Sequence, residues 1–301
     1  MNNTTAFTTL NELPRKNTGQ RGFGALHPLR PVAFKPLVRI QPPATQPSTL
    51  LRSPLLPPSN QIAPKAAPLP SNCSNCHLRE LCLPCGMTGA ELNRLDDLHL
   101  ARRRVKAGNL LYRQGDPFQF VYAVRGGTLK SSLMLADGRE QVSGFHMSGE
   151  QLGLDGVAIG RHGTTVTALE DTEVCAIPYA NLARMTTSAT STEPLVSRLM
   201  SQEIMREHSL VLLLGSMNAE ERLATFLLNL AGRLKARGYS GSDFNLRMTR
   251  AEIGSHLGLK LETVSRLFSA FQKSMLLQVD KRHIQILNSD GLTRILGMRL
   301  H

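Results

Sequence analysis

Residues 194–214 read PLVSRLMSQEIMREHSLVLLL. One long helix is expected over Glu193 to Leu214. Pro194 suits a first turn, where its missing N–H costs nothing, and neither glycine nor a second proline interrupts the run to Leu214. Laid on a heptad, one seam carries Ser197, Met200, Ile204, Glu207, Val211 and Leu214, a largely apolar repeat able to pair with its own copy. Leu195, Leu199, Leu210 and Leu213 fall off that seam and are expected to cover the helix's own domain. In a parallel pair Glu207 would bring two like charges together among apolar neighbours, so a dimer built here is marginal unless those charges are hydrated or protonated. A buried helix of a monomer, with Glu207 at its wet edge, fits the same pattern. The flanking sequence decides between the two.

Downstream, Asn218-Ala-Glu-Glu opens a second helix with Leu223, Phe226, Leu227 and Leu230 on one face. Residues 248–274 then read MTRAEIGSHLGLKLETVSRLFSAFQKS. Thr249 and Glu252 form a capping box for a short helix, Gly258 supplies a turn, and a longer helix runs from about Leu261 to Lys273. Ile253, Leu257, Val264 and Phe268 are placed to pack between the two. Glu262, Thr263, Ser265 and Arg266 are left on the outer, N-terminal half of the second helix, where a helix-turn-helix presents base-reading side chains. Beyond it, LLQVDKRHIQIL alternates across a turn at Asp280–His283 and reads as a wing. Charge agrees: residues 219–301 carry 13 Lys and Arg against 7 acids, whereas residues 71–218 carry 14 against 15. A basic folded C-terminal region points to a polyanion, and the motif points to DNA.

Upstream, from Leu95 to Tyr179, short apolar runs are punctuated by glycine. Phe120–Val124, Thr128–Leu135 and Thr164–Leu169 fit strands, with Asp137-Gly138 as a hairpin turn. Roughly eight such strands imply an antiparallel roll or barrel. Its last strand, TEVCAIP, holds Cys175, which by itself reads as a small core residue.

Residues 73–85 read CSNCHLRELCLPC, a C-x2-C-x5-C-x2-C pattern holding four of the five cysteines. Thiolates two residues apart can converge on a metal. Zinc would be satisfied by Cys73, Cys76, Cys82 and Cys85 alone; an iron–sulfur centre can recruit a distant thiolate, for which Cys175 is the remaining candidate. His77 reads as a solvent-facing neighbour.

Residues 1–70 carry 13 of the 17 prolines and eight basic residues against one acid, so a tail without a packed core is expected. With no apolar run near the roughly 20 residues that span a bilayer and no compact signal core, a cytoplasmic protein without membrane contact is expected.

Four separated motifs together resemble the FNR branch of the Crp/Fnr transcription regulators over about residues 71–297. CSNCHLRELCLP is similar to that family's cluster motif, QGD at 114–116 and RGGTLKS at 125–131 to its cyclic-nucleotide-type roll, and NAEERLATFLLNL and ETVSRLF to its linker and recognition helices. The resemblance implies an α+β protein that is not an enzyme: a cyclic-nucleotide-binding-type β-roll, a long dimerisation helix and a C-terminal winged helix-turn-helix. It further implies an oxygen-responsive regulator whose [4Fe–4S] cluster, held by Cys73, Cys76, Cys82 and Cys175, promotes a homodimer. That dimer would bind double-stranded DNA at an inverted repeat and contact RNA polymerase, for which the loop Asp155–Gly163 is a candidate. Oxygen would destroy the cluster and release the DNA. Cys85 is then set aside.

By the same resemblance Glu262, Ser265 and Arg266 are base readers, with Thr263 and Lys260 beside them. Met200, Ile204, Glu207, Val211 and Leu214 line the dimer. Three departures stand out. His162 and Gly163 occupy the place of the Arg-Ser pair that binds cyclic nucleotide in a sister branch, Lys260 precedes the recognition helix where Thr is usual, and Met275 replaces a Gly after it. The alternative is a regulator of the same family with structural zinc or a small-molecule effector. The expected division is 1–70 tail, 71–90 cysteine segment, 91–188 roll, 189–216 dimerisation helix and 217–301 winged helix-turn-helix.

Overall fold

The computed structural model describes residues 72–98, 100–135, 137–187 and 195–297. The tail 1–70, and Glu193 and Pro194 at the expected start of the long helix, lie outside the described residues. All described residues fall in one compact unit, Ala63–His301.

The cysteine segment is a chain of tight turns. Cys76, Arg79, Leu81 and Cys85 donate their N–H to the carbonyls of Cys73, Cys76, Leu78 and Cys82. It leads into α1 (Gly89–Asp96), a helix that periodicity did not reveal although Thr88 and Glu91 form a full capping box at its start. Eight strands come next, as expected: β1 (Ala101–Val105), β2 (Leu110–Tyr112), β3 (Phe120–Gly126), β4 (Thr128–Met134), β5 (Glu140–Met147), β6 (Gln151–Leu152), β7 (Thr165–Ala168) and β8 (Thr172–Pro178). They make two antiparallel four-stranded sheets, ordered β1-β8-β3-β6 and β2-β7-β4-β5. Leu111, Val124, Leu129, Val166 and Val174 fill the space between them. Alternation is clean on β7, whereas β3 buries Val121 to Val124 in a row, because Leu83 of the cysteine segment and Leu95 of α1 cover the other face of its sheet.

After α2 (Tyr179–Thr187) comes the long helix α3 (Leu195–Ser216). Its off-seam leucines are used at both ends. Leu199 is buried with Leu83, Leu95 and Leu182 in a core shared by the cysteine loop and the roll, while Leu213 is buried in the core of the C-terminal region.

That region contains α4 (Ala219–Ala236), β9 (Asp243–Asn245), α5 (Arg250–Leu257), α6 (Leu261–Lys273), β10 (Leu277–Asp280), β11 (His283–Ile286) and α7 (Ser289–Gly297). Capping boxes at Asn218/Glu221 and Thr249/Glu252 open α4 and α5, and Gly258 closes α5 in the left-handed conformation at φ 64°, which a side chain adopts only at a cost. Ile253, Leu257, Val264 and Phe268 are fully buried between α5 and α6, each stabilising the pair by about 1.5–3 kcal/mol. The expected wing is present as β10-β11. A third strand, β9, pairs with β11; three residues are too few to show a period of two.

Candidate metal centre and nucleic-acid interface

Cys73, Cys76, Cys82 and Cys175 line one cavity between the cysteine loop and the outer face of the β1-β8-β3 sheet. Its other walls are mainly apolar, with Leu83, Leu100, Ala123 and Ile177 among them, and the charged side chains at its edge, Arg79 and Arg125, are both cationic. Cys85, by contrast, is exposed and takes no part in the lining. Register explains the arrival of Cys175: on β8 it stands opposite Arg102 of β1 and Ala123 of β3.

Burial and then the neighbouring Cys175, Cys82, Asp96 and Cys76 push the Cys73 thiol up to about 12. Burial is likewise the main cause that lifts Cys82 to about 11, against hydrogen bonds from the Leu83 backbone and the Gln151 side chain. These thiols gather where bare thiolates would repel one another in an apolar setting, and such a donor set fits a cationic metal centre. As the side chains stand, no group of three or more His, Cys, Asp or Glu among the described residues is arranged to hold a metal ion.

Three residues that sequence reasoning missed meet the loop. Asp96, at the end of α1, accepts the Cys73 and Ser74 N–H groups. Arg198 of α3 donates to the Leu83 carbonyl at 3.4 Å. Gln151 approaches Cys82. None belongs to a motif, because each contact joins segments remote in sequence. Leu83, only 2 % exposed, lines the cavity, whereas Leu81, 36 % exposed, does not.

In the C-terminal region Glu262, Ser265 and Arg266 are exposed on α6, Thr263 is half-buried, and Lys260 sits at the exposed N-cap with no side-chain capping bond. Arg250 was not anticipated. Its guanidinium lies 3.4 Å over the Phe268 ring and donates to the Lys281 carbonyl in the wing turn at 3.3 Å, tying α6 to the wing. Burial brings it down to about 10. Met275 does stand in the left-handed region, at φ 54°.

On α3 the seam residues Ile204, Glu207 and Val211 are exposed, Met200 is half-buried against the roll, and Leu214 is half-buried against the C-terminal core. Met205 and Leu212, off the heptad seam, are as exposed as Ile204. A cavity of about 420 Å³ separates α3 from the roll, lined by Tyr112, Ser131, Asp155, Glu203 and Glu207 among others. Next to it His162 stacks on Tyr112 at 3.7 Å, and Arg161 donates to the Gly115 carbonyl. In the loop Asp155–Gly163 the Asp155 carboxylate accepts from Gly163 N, Thr164 N and the Thr164 hydroxyl, so it shapes the loop, whereas Ile159 is open to solvent.

A roll of cyclic-nucleotide type, a long helix and a winged helix-turn-helix with outward polar readers define a DNA-binding transcription regulator, not an enzyme. A family model for the cyclic nucleotide-binding domain matches residues 102–189, and one for the Crp-like helix-turn-helix domain matches residues 221–295. The chain is 44% identical to the transcriptional regulatory protein btr of Bordetella pertussis, over 78% of this chain and 96% of that one. It is 41% identical to the transcriptional activator protein anr of Pseudomonas aeruginosa, covering 76% and 94%, and 39% identical to the fumarate and nitrate reduction regulatory protein of Escherichia coli, covering 75% and 90%. Among solved structures it is similar to FixK2 of Bradyrhizobium japonicum, with TM-score 0.60 and 29% identity over 65% of this chain and 96% of that one. The chain belongs to the Crp/Fnr family of transcription regulators, in its FNR-type branch. DNA binding and dimerisation follow from that membership. No helix among the described residues is long and apolar enough to cross a membrane.

Proposed function

We propose that the chain is a cytoplasmic, oxygen-responsive transcription regulator. It pairs with a second copy and reads an inverted-repeat DNA site while Cys73, Cys76, Cys82 and Cys175 hold a [4Fe–4S] cluster, and it releases DNA once oxygen has destroyed that cluster. The observation that carries this reading is the convergence of three loop thiols and one strand thiol on a single apolar-walled cavity, with Cys85 left outside. When bound, the cluster supplies cationic iron that compensates the thiolates and an oxygen lability that thiols alone lack.

The remaining work falls to the chain. Leu83 closes the cavity and packs in the same core as Leu199 of α3, and Arg198 bonds the Leu83 carbonyl, so the seating of the loop and the position of α3 are coupled. Ile204 and Val211 then meet a second copy, with Glu207 opposing the union. On α6, Arg266 can bind guanine through two bonds, Glu262 can accept from a cytosine amine, Ser265 can contact either base edge, and Lys260 can meet phosphate. Two such helices one helical turn apart read the two half-sites. The exposed part of the loop Asp155–Gly163 is the candidate contact for RNA polymerase. Structural zinc held by Cys73, Cys76, Cys82 and Cys85 is the competing reading.

Oxygen-free purification followed by iron, sulfide and absorption measurements tests the centre. Wild type and Cys85→Ala are expected to contain iron and sulfide and Cys175→Ala to lack both. Zinc without sulfide in the wild type, or loss of iron in Cys85→Ala with retention in Cys175→Ala, would reject the ligand set.

A further inference from the structure

One turn, Met147–Gln151 between β5 and β6, is touched from both sides. On one side lies the DNA-binding region. The Glu150 carboxylate accepts from Arg233 at 3.1 and 2.7 Å and from Arg237 at 2.6 Å. The same two guanidiniums donate to the Phe145 and Ser148 carbonyls at 2.6 and 2.7 Å. The Glu150 and Arg237 side chains are 13% and 6% exposed, so this is a buried junction and not a surface pair. Further along β5, Ser255 of α5 accepts from Val142 N and donates to the Glu140 carbonyl, and Lys130 lies between Glu140 and Glu252.

On the other side lies the cysteine loop. Gly149 adopts φ +90°, and a Cβ there would stand 3.0 Å from Leu81 Cβ and 3.1 Å from Leu81 O, so the loop rests directly on turn backbone. Two residues on, the Gln151 side chain donates to the Gly149 carbonyl at 2.9 Å and approaches Cys82.

We infer that Glu150 is a positioning residue for DNA recognition: through the turn it sits on, the seating of the cysteine loop sets the docking of α4 and the helix-turn-helix against the roll within one chain. This route is separate from the pairing of α3 with a second copy, and it rests on the proposed holding and release of the four thiols. A carboxylate this buried does not tolerate the loss of its guanidiniums. Displacement of the turn therefore frees the DNA-binding region as a unit.

Hydrogen exchange by mass spectrometry on the full chain, purified without oxygen and with iron counted, tests this before and after air. Loss of iron is expected to speed exchange at least tenfold both in peptides over 78–83 and in peptides over 229–239. Glu150→Gln is expected to retain iron and absorption while exchanging fast over 229–239 in both states. If that variant does not fold, Arg237→Lys carries the same test, since it keeps the charge and loses bonds to Ser148 and Arg233. Iron that leaves with 229–239 unchanged, or a folded variant protected like wild type, overturns the inference alone. No iron in the oxygen-free protein overturns the reading beneath it.

Discussion

At the scale of single residues, location separates side chains of the same type. Cys85 and Cys175 are both thiols near the other three, yet the turn Cys82–Cys85 carries Cys85 out to solvent while strand register carries Cys175 into the cavity. Met275 shows the cost of an unsuitable side chain: at φ 54° a residue with a Cβ loses roughly 1–2 kcal/mol. Met275→Gly should therefore stabilise the domain by about 1 kcal/mol after allowing for the looser unfolded chain, raising Tm by a few degrees in a thermal melt. An unchanged or lower Tm would show that the strain is absorbed elsewhere. Arg266 is exposed where base edges would lie. Arg266→Ala is expected to lose about 1–3 kcal/mol of discrimination at a guanine, seen as weaker binding to the specific duplex with little change on a scrambled one.

At the scale of elements, α3 faces two ways, but its outward face is wider than the heptad seam. Ile204, His208, Val211 and Leu212 succeed one another at helical spacing, with Met205 alongside, and all are exposed. The burial of Leu199 and Leu213 was legible in the sequence because both are spaced off the seam. The part-burial of Met200 and Leu214 was not, since the roll and the C-terminal core that cover them are folded from other segments. Glu207 borders the exposed face. Glu207→Ala should tighten self-association about two- to threefold and Val211→Glu should weaken it, as read by sedimentation equilibrium. Weaker association of Glu207→Ala would dismiss charge repulsion as the brake.

At the scale of the whole molecule, acid should loosen the structure in two stages. Burial, with Arg206 adding to it, brings His146 from its ordinary 6.5 down to about 3, so folding holds it neutral while the unfolded chain takes up a proton below 6.5. Stability is thus lost as pH falls from about 6.5 toward about 3, at up to roughly 1.4 kcal/mol per pH unit. Burial works against charge on Glu150, but Arg233 and Arg237 overcome it and hold the carboxyl below its ordinary 4.5. Its contribution is complete above 4.5 and is lost as pH falls through the lower folded value. Tm measured from pH 7 to 4 should decline, and His146→Gln should flatten the stretch between 6.5 and 4.5; an equal slope in the variant would assign the titration elsewhere.

The sequence by itself determined the strands of the roll, the long helix, the capped helix-turn-helix with its buried Ile253, Leu257, Val264 and Phe268, and the presence of a sulfur-rich loop. These arise from spacing, caps and turns, which are properties of neighbours along the chain. The family resemblance had already pointed to Cys175 over Cys85, and the tertiary structure supplied the cavity that the four thiols line; it alone decided that Asp96 and Arg198 hold the cysteine loop, and that Glu150 joins the roll to Arg233 and Arg237. Those contacts unite segments tens of residues apart, and no local periodicity records them, because a buried charge or thiol finds its partner only when packing brings the two together.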